Sequence, residues 1–287
     1  MSAVAAEGAD VAVVIVSWRV RELLAGCLDS LLAEAKDSAL RLAIHVVDSA
    51  SGDGTPELVR SRFPSVVLHA ESENIGFTRG NNLALRALGY ATPGASSPPL
   101  VWLLNPDTRV QAGALRRLVE FMRQTPRCGL AGPRLENPDG SLQMGAFAFP
   151  GLAQLLIETQ PRLARLRESR LDGRYPAARF GAGAPFEIGF PLGAAMLARA
   201  EAVRQVGLLD EGYEMYCEEV DWALRMARAG WQRWCVPGAV VTHYGGASSS
   251  QASARAEAIK WRSRRRYYRK HYGPLARGLA LRLAAGR

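Results

Sequence analysis

The sequence is poor in several things, and each shortage excludes a class of protein. Its 287 residues hold four cysteines and four histidines. Cys27, Cys128, Cys217 and Cys235 form no C-x-x-C pair. That argues against a zinc knuckle or a disulfide scaffold and for a reducing compartment. So few histidines exclude a histidine-rich metal cage. The longest clean apolar run, residues 11–16, is strand-sized, far short of the roughly 20 residues of a spanning helix. The opening MSAVAAEGAD has no basic stretch ahead of its apolar residues, so no secretory signal is expected. Neither G-x-G-x-x-G after the first strand nor G-x-x-x-x-G-K-[ST] occurs, which removes the dinucleotide fingerprint and the P-loop. What is present is ordinary globular usage, 48% hydrophobic and 22% charged, and this excludes a disordered or fibrous chain.

Charge is unevenly placed. The net +9 comes from 36 basic and 27 acidic residues. Residues 255–287 hold eleven Lys/Arg against one acid, Glu257, so they carry +10 and the rest of the chain sums to −1. Such a tail can meet nucleic acid, an anionic membrane surface or phosphorylated substrates.

Apolar runs alternate with helical patterns through the first half. Residues 11–16, 42–47, 66–69 and 100–104 read as buried strands. Residues 20–35, 78–89 and 111–124 read as helices, with a short one beginning at Thr55-Pro56. Strand–helix alternation predicts an α/β fold with a parallel sheet between helices. Residues 133–150 read as loops or a hairpin, and residues 151–186 as an Arg-rich helical piece and a Gly/Ala/Pro stretch. Residues 187–197 read as one strand, 218–229 as a helix and 231–236 as a strand. A basic helix is expected over 254–272 and a short amphipathic one over 275–283.

Ligands of open parallel sheets bind beyond the carboxyl ends of the strands. Three strand ends carry polar residues there: Ser17-Trp18, Asp48 with Ser49 and Ser51, and Asn105-Pro106-Asp107. A carboxylate at such a place can accept from a base or ribose, or hold a divalent cation on phosphates. Asp53 and Thr55 read as turn and cap residues. The stretch from Asn74 to Asn82 is a Gly-rich helix start, suited to phosphate, with Arg79 adding charge. Glu218-Glu219-Val220-Asp221 opens a helix. These acids are either helix-dipole partners or a general base, one carboxylate being crowded by two others. His243, after a strand, could complete a loosely held divalent site with Asp107.

Taken in order, V-V-I-V-S-W, V-V-D-S-A-S-G-D-G-T, N-I-G-F-T-R-G-N-N, L-L-N-P-D-T, G-A-A-M-L-A-R, V-G-L-L-D-E-G-Y-E-M-Y-C-E-E-V-D-W-A-L-R and H-Y-G-G-A-S resemble a family 2 inverting glycosyltransferase of the GT-A fold, in the branch with rhamnosyltransferase-like members. The resemblance covers about residues 10–273. It implies a mostly parallel nucleotide-binding sheet flanked by helices over 10–130, a smaller mixed acceptor half over 131–245, and a basic helical extension over 246–287. Ser17, Trp18, Asp48 and Ser51 would hold the nucleotide, with Gly76, Arg79, Asn81 and Asn105 lining the donor pocket. Asp107, in the D-x-D place, and His243 would hold Mg²⁺ or Mn²⁺. The family's Glu-Asp pair falls on Glu218-Glu219, so Glu219 aligns with the usual base, and Glu218 stays open as the alternative. Residues 193–196 and 210–216 would shape the acceptor site.

The chain departs from the pattern at three places. Asn105 replaces an Asp, Glu219 replaces an Asp, and Ser49 stands where Asn is frequent. The Q-x-x-R-W element of processive synthases is missing, because Trp231-Gln232-Arg233-Trp234 has another spacing. The implied reaction is non-processive transfer from a nucleotide-diphosphate sugar, dTDP-L-rhamnose first and UDP-sugars next, to a glycan or polyprenyl-linked glycan. The expected place is cytoplasmic, peripheral at the inner face of the plasma membrane through residues 255–287, with no nucleic acid partner. The arginines there point to anionic lipid and Leu275, Leu279 and Leu283 to the interface; Trp261, Tyr267, Tyr268 and Tyr272 point to packing on the domain itself. Two other classes compete. A sugar nucleotidyltransferase would want a Gly-rich Arg/Lys loop after the first strand, which residues 17–26 do not offer. A non-catalytic nucleic-acid module would leave the strand-end carboxylates unused.

Overall fold

The computed structural model describes residues 8–167, 169–245 and 253–284. Four strands run parallel in the order β3 (Val67–Ala70), β2 (Leu42–Asp48), β1 (Val11–Ser17), β4 (Leu100–Leu104). Helices α1 (Arg21–Ser38), α2 (Thr55–Arg62) and α3 (Gly76–Ala87) make the crossovers. β1 is apolar on both sides because both are covered. Val11, Val13 and Ile15 enter one core with Leu24, Leu28 and Leu31 of α1 and Leu115, Leu118 and Met122 of α4 (Ala114–Gln124). Ala12 and Val14 enter the other, with Ala84 and Leu85 of α3.

Beyond β4 the sheet becomes mixed. β11 (Ala195–Arg199) runs antiparallel to β4 and to β6 (Cys128–Glu136). β12 (Gln232–His243) is parallel to β6, and β5 (Thr108–Val110) closes the edge antiparallel to β12. The strand expected over 187–197 is in fact three pieces: β9 (Phe186–Glu187), β10 (Phe190–Pro191) and β11. Gly189 lies so near the 147–149 backbone that a Cβ would come within 2.6 Å of the Phe149 nitrogen, and Pro191 has no N–H for a ladder. Residues 133–150 are less loop-like than expected. β6 continues to Glu136, and β7 (Leu142–Gln143) folds back on it; β8 (Ala146–Phe147) pairs with β10. β12 does not stop at Val236 but resumes, after irregular pairing between Val236 and Val240, as far as His243. His243 is therefore a sheet residue, opposite Thr108.

α5 (Leu152–Thr159), a 3-10 turn (Pro161–Leu166) and α6 (Ala177–Gly181) fill residues 151–186. α7 (Ala200–Val206) and α8 (Glu218–Arg228) cover the second face with α9 (Ser253–His271) and α10 (Pro274–Leu283). Trp261, Tyr267 and Tyr268 of α9 are buried in that core, with Tyr272 packed against it. Among the described residues no helix is long and apolar enough to cross a membrane.

Candidate active site

The carboxyl ends of β1 and β2 lie side by side, Ser17 in register with Asp48. Both are buried, and Ser17 Oγ and Asp48 Oδ1 have no partner. Such atoms are costly unless something satisfies them. The loops that follow are stitched to each other: Ser51 Oγ accepts the Arg19 N–H at 2.9 Å, and Asp48 Oδ2 accepts the Ser51 N–H at 3.3 Å. Ser51 thus acts on the loops themselves. Trp18 lies at this mouth, with the Arg19 guanidinium 5.0 Å from its ring centre. Asp53 accepts from Thr55 N–H and Oγ1 at 3.1 and 2.6 Å, a turn ahead of α2, whose N-cap is Gly54 rather than Thr55.

The Gly-rich helix start is organised by Asn74, whose Oδ1 accepts from Ser49 Oγ at 3.1 Å and the Gly76 N–H at 3.0 Å. Gly76 has φ +75°, and a Cβ there would sit 3.6 Å from the Glu214 carbonyl. The donor-side loop and the segment before α8 therefore touch. Arg79 is exposed. Asn81 is buried, and its amide donates to the Phe77 carbonyl at 2.9 Å within α3.

At the end of β4, Asn105 donates its N–H to Ala194 at 2.8 Å, and its carbonyl accepts the Thr108 hydroxyl at 2.7 Å. The turn presents Asp107, whose Oδ1 lies 3.3 Å from His243 Nε2, with Asn105 Nδ2 at 3.5 Å from the same nitrogen. His243 Nδ1 is 2.7 Å from Gln143 Oε1. The Gln143 amide donates to Asn137 Oδ1 and to the His243 carbonyl, so its oxygen is the end facing the ring and Nδ1 carries the proton. Nε2 then turns its lone pair toward the Asn105 amide and the Asp107 carboxylate. An imidazole with its outer N–H fixed, beside one carboxylate, fits a divalent ion whose other positions are filled by substrate oxygens. Among the described residues no group of three or more His, Cys, Asp or Glu side chains is placed to hold a metal ion, so the protein offers a pair. Gln143 was not foreseen: it stands 100 residues from His243 in sequence, and no local pattern marks it.

α8 begins with an irregularity. Tyr216 and Cys217 have φ +67° and +68°, consecutive left-handed residues that are not glycine. Each costs of order 1–3 kcal/mol, a strain typical of functional sites. They lead directly into Glu218 and Glu219, and Oε2 of each is buried without a partner. Glu219 lies against Gly193, whose Cβ would come within 3.9 Å of it. Gly193 precedes the Ala194 that holds Asn105, so the base candidate and the Asp107 turn share one support. Burial, then the Glu219 charge, holds the Glu218 carboxyl well above the usual range. Burial also raises Glu219, offset in part by backbone N–H groups at the start of α8 and by Arg264. The expected crowding by a third acid is corrected. Asp221 faces the other way, 2.8 Å from Arg225, 2.7 Å from Lys270 and 2.6 Å from His271. Their hydrogen bonds outweigh burial and hold it well below the usual range.

The basic α9 is largely committed within the molecule. Arg266 and Lys270 pair with Asp210 at 2.8 and 2.6 Å, Arg262 with Glu214 at 3.3 Å, and Arg264 and Lys260 with Glu158 at 2.9 and 3.0 Å. Ser263 Oγ donates to the Met215 carbonyl at 2.7 Å. α9 thus straps the 210–217 segment that leads into the two glutamates. On α10, Leu275 and Leu279 are 92% and 50% exposed, whereas Leu283, expected beside them, packs on the second core.

Residues 8–268 match the family described as "Glycosyltransferase like family 2", and the chain belongs to that family. It is 32% identical over 214 residues to N-acetylglucosaminyl-diphospho-decaprenol L-rhamnosyltransferase of Mycobacterium tuberculosis, found in two strains. The match takes in 71% of this chain and 66% of the relative's own length. Among solved structures, the chain is similar to the mannosyltransferase PcManGT of Pyrobaculum calidifontis in complex with GDP-Man and Mn²⁺. There the TM-score is 0.60 at 19% identity, over 97% of this chain and 73% of that one. S. aureus TarS 1-349 with UDP-GlcNAc gives a TM-score of 0.58 at 12% identity, over 96% and 71%. At these identities the structures establish the GT-A fold.

Proposed function

We propose that this glycosyltransferase moves L-rhamnose from dTDP-rhamnose to a hydroxyl of a polyprenyl-diphosphate-linked glycan, once per encounter and with inversion. One observation carries the reading. The 193–194 segment braces Glu219 on one side and the Asn105-Pro106-Asp107 turn on the other, so an acceptor-side base and a donor-side anion site share one cleft edge. The relative's name supplies the sugar and the lipid diphosphate. Ser17, Trp18 and Asp48 hold the nucleoside, the unpartnered Ser17 and Asp48 oxygens meeting base or ribose. Asp107 and His243 hold Mg²⁺ or Mn²⁺, with Gln143 fixing the imidazole. The bound ion supplies charge stabilisation at the departing diphosphate. Glu219 accepts the proton of the acceptor hydroxyl as that oxygen attacks the anomeric carbon. Glu218, buried deeper, keeps its proton.

The reading extends to place. Exposed Leu275 and Leu279, with Arg277 and Arg282 beside them on α10, suit the anionic inner face of a plasma membrane, where a polyprenyl acceptor resides. Each Lys/Arg near such a surface is worth about 1 kcal/mol.

The test is a transfer assay with dTDP-rhamnose, UDP-glucose and GDP-mannose against a polyprenyl-diphosphate N-acetylglucosamine acceptor, with Mn²⁺ or with EDTA, beside a thermal-shift panel of dTDP, UDP and GDP. Metal-dependent transfer from dTDP-rhamnose is expected, with dTDP giving the largest shift. A preference for UDP-glucose would overturn the donor, and undiminished transfer in EDTA would overturn the metal.

A further inference from the structure

A cleft of about 570 Å³ opens between α9 and the segment before α8, lined by Arg262, Arg266, Arg269 and Lys270 on one side and by Gly212 and Glu214 on the other. That volume is in the range of small-molecule sites, about 300–1,000 Å³. The four cations stand at helical spacing on one face of α9, over about 12 Å at roughly 1.5 Å per residue. Arg266 is held in place: its NH2 meets both Asp210 oxygens, at 2.8 and 2.9 Å, and its guanidinium carbon lies 5.2 Å from the Tyr213 ring centre. A Cβ on Gly212 would overlap that guanidinium, so glycine keeps the space open. The charges do not cancel. Glu214, the one acid in the lining among the described residues, pairs with Arg262 at 3.3 Å. Asp210 is shared by Arg266 and Lys270. Lys270 also reaches Asp221 at 2.7 Å, but Arg225 and His271 already hold that carboxylate. Arg269 is exposed and makes no ion pair among the described residues. The cleft therefore keeps an excess of positive charge, in guanidinium groups whose planar N–H forks suit phosphate oxygens.

We propose that this cleft binds the diphosphate of the lipid-linked acceptor, with Arg269 supplying the charge that no carboxylate compensates. The order of parts along the chain carries the inference. Ser263, also in the lining, donates to the Met215 carbonyl at 2.7 Å. Met215 stands four residues before Glu219, at most about 14 Å of chain. At the other end of the row, Lys270 stands five residues before the exposed Leu275 of α10. Base, cations and exposed leucines thus succeed one another as the attacking hydroxyl, the diphosphate and the lipid do along such an acceptor. The acceptor's identity rests on the transferase reading above; the affinity for diphosphate rests on the cleft alone.

The first arm is calorimetry with farnesyl diphosphate and with inorganic pyrophosphate, in EDTA so that the Asp107–His243 pair holds no cation. The full chain is compared with R269Q, R269E and E214Q. R269Q should weaken both probes about fivefold, the upper end for one exposed charge pair, and R269E more than tenfold. E214Q removes the acid from the lining and should tighten both, which keeps the test alive if an Arg269 variant does not fold. Binding unmoved in R269E and E214Q would overturn the proposal. So would a loss in R269E confined to phosphatidylglycerol vesicles, which would assign Arg269 to the membrane surface. The second arm is transfer to polyprenyl-diphosphate N-acetylglucosamine and to the uncharged octyl N-acetylglucosaminide. R269E should raise KM for the first more than tenfold and leave KM for the second unchanged; equal rises would overturn the diphosphate contact. No transfer to either acceptor, with probe binding still sensitive to R269E, would refute the transferase reading and leave the cleft a diphosphate site.

Discussion

Two sides of the first turns of α8 carry carboxylates under opposite conditions. Asp221 is enclosed by Arg225, Lys270 and His271, and its proton is lost well below the ordinary range. Glu218 and Glu219, three and two residues earlier, are buried with an unpartnered oxygen each and are pushed up. Burial acts on all three, so burial alone does not separate them. The difference is where α9 delivers its positive charge: most of it goes to Asp210, Asp221 and Glu158, and little reaches the glutamates. A buried carboxylate given full compensation is a structural tie; one given partial compensation can exchange a proton near neutral pH.

Breaking the tie should cost the most stability. Asp221→Asn leaves Lys270, Arg225 and His271 facing a neutral amide, and removing one partner of a buried cluster costs about 3–5 kcal/mol. Chemical denaturation at pH 7 measures it. A change below about 1 kcal/mol, the range of exposed pairs, would contradict the enclosure. The sign with pH follows from the direction of the shift. A carboxyl depressed in the fold contributes stability above its ordinary value near 3.8, lost as pH falls toward the folded value. The Asp221→Asn penalty should therefore shrink on acidification below pH 4.

Glu218 should behave in the opposite sense. Raised in the fold above its ordinary value near 4.5, it favours the folded state when protonated, and stability declines as pH rises past that value. Glu218→Gln should flatten this decline and raise the melting temperature at pH 8 relative to wild type. Equal pH slopes in the two proteins would place Glu218 outside the buried, protonated role. The smallest effect belongs to Lys270→Met. This half-exposed ammonium is one of several cations on Asp210 and Asp221, so its loss should cost at most about 1 kcal/mol. A larger loss in denaturation would make Lys270 the keystone of the cluster.

The half of the molecule that was legible in advance is the half built by local rules. β1, β2 and β4 are apolar runs ending in Ser17, Asp48 and Asn105, and a parallel sheet presents its strand ends on one edge. Position along a strand was therefore enough to bring Ser17 and Asp48 together. The rest depends on partners far apart in sequence. Spacing showed three acids at 218, 219 and 221 but not that α9 would enclose the last of them. His243 was readable as a ligand candidate, but the orientation of its ring rests on Gln143, reached through a hairpin that composition disguised as loop. The arginines of α9 read as surface charge because their acidic partners, Glu158, Asp210 and Glu214, lie 48 or more residues away.

The most direct test is single-turnover transfer by Glu219→Gln and Glu218→Gln side by side, at equal donor occupancy confirmed by calorimetry. Loss of a general base costs about 10²–10⁴-fold in rate. Glu219→Gln should fall in that range while binding nucleotide as wild type does, and Glu218→Gln should lose less than about tenfold. The reverse order, or retained transfer in Glu219→Gln, would contradict the assignment of the proton-accepting role on α8.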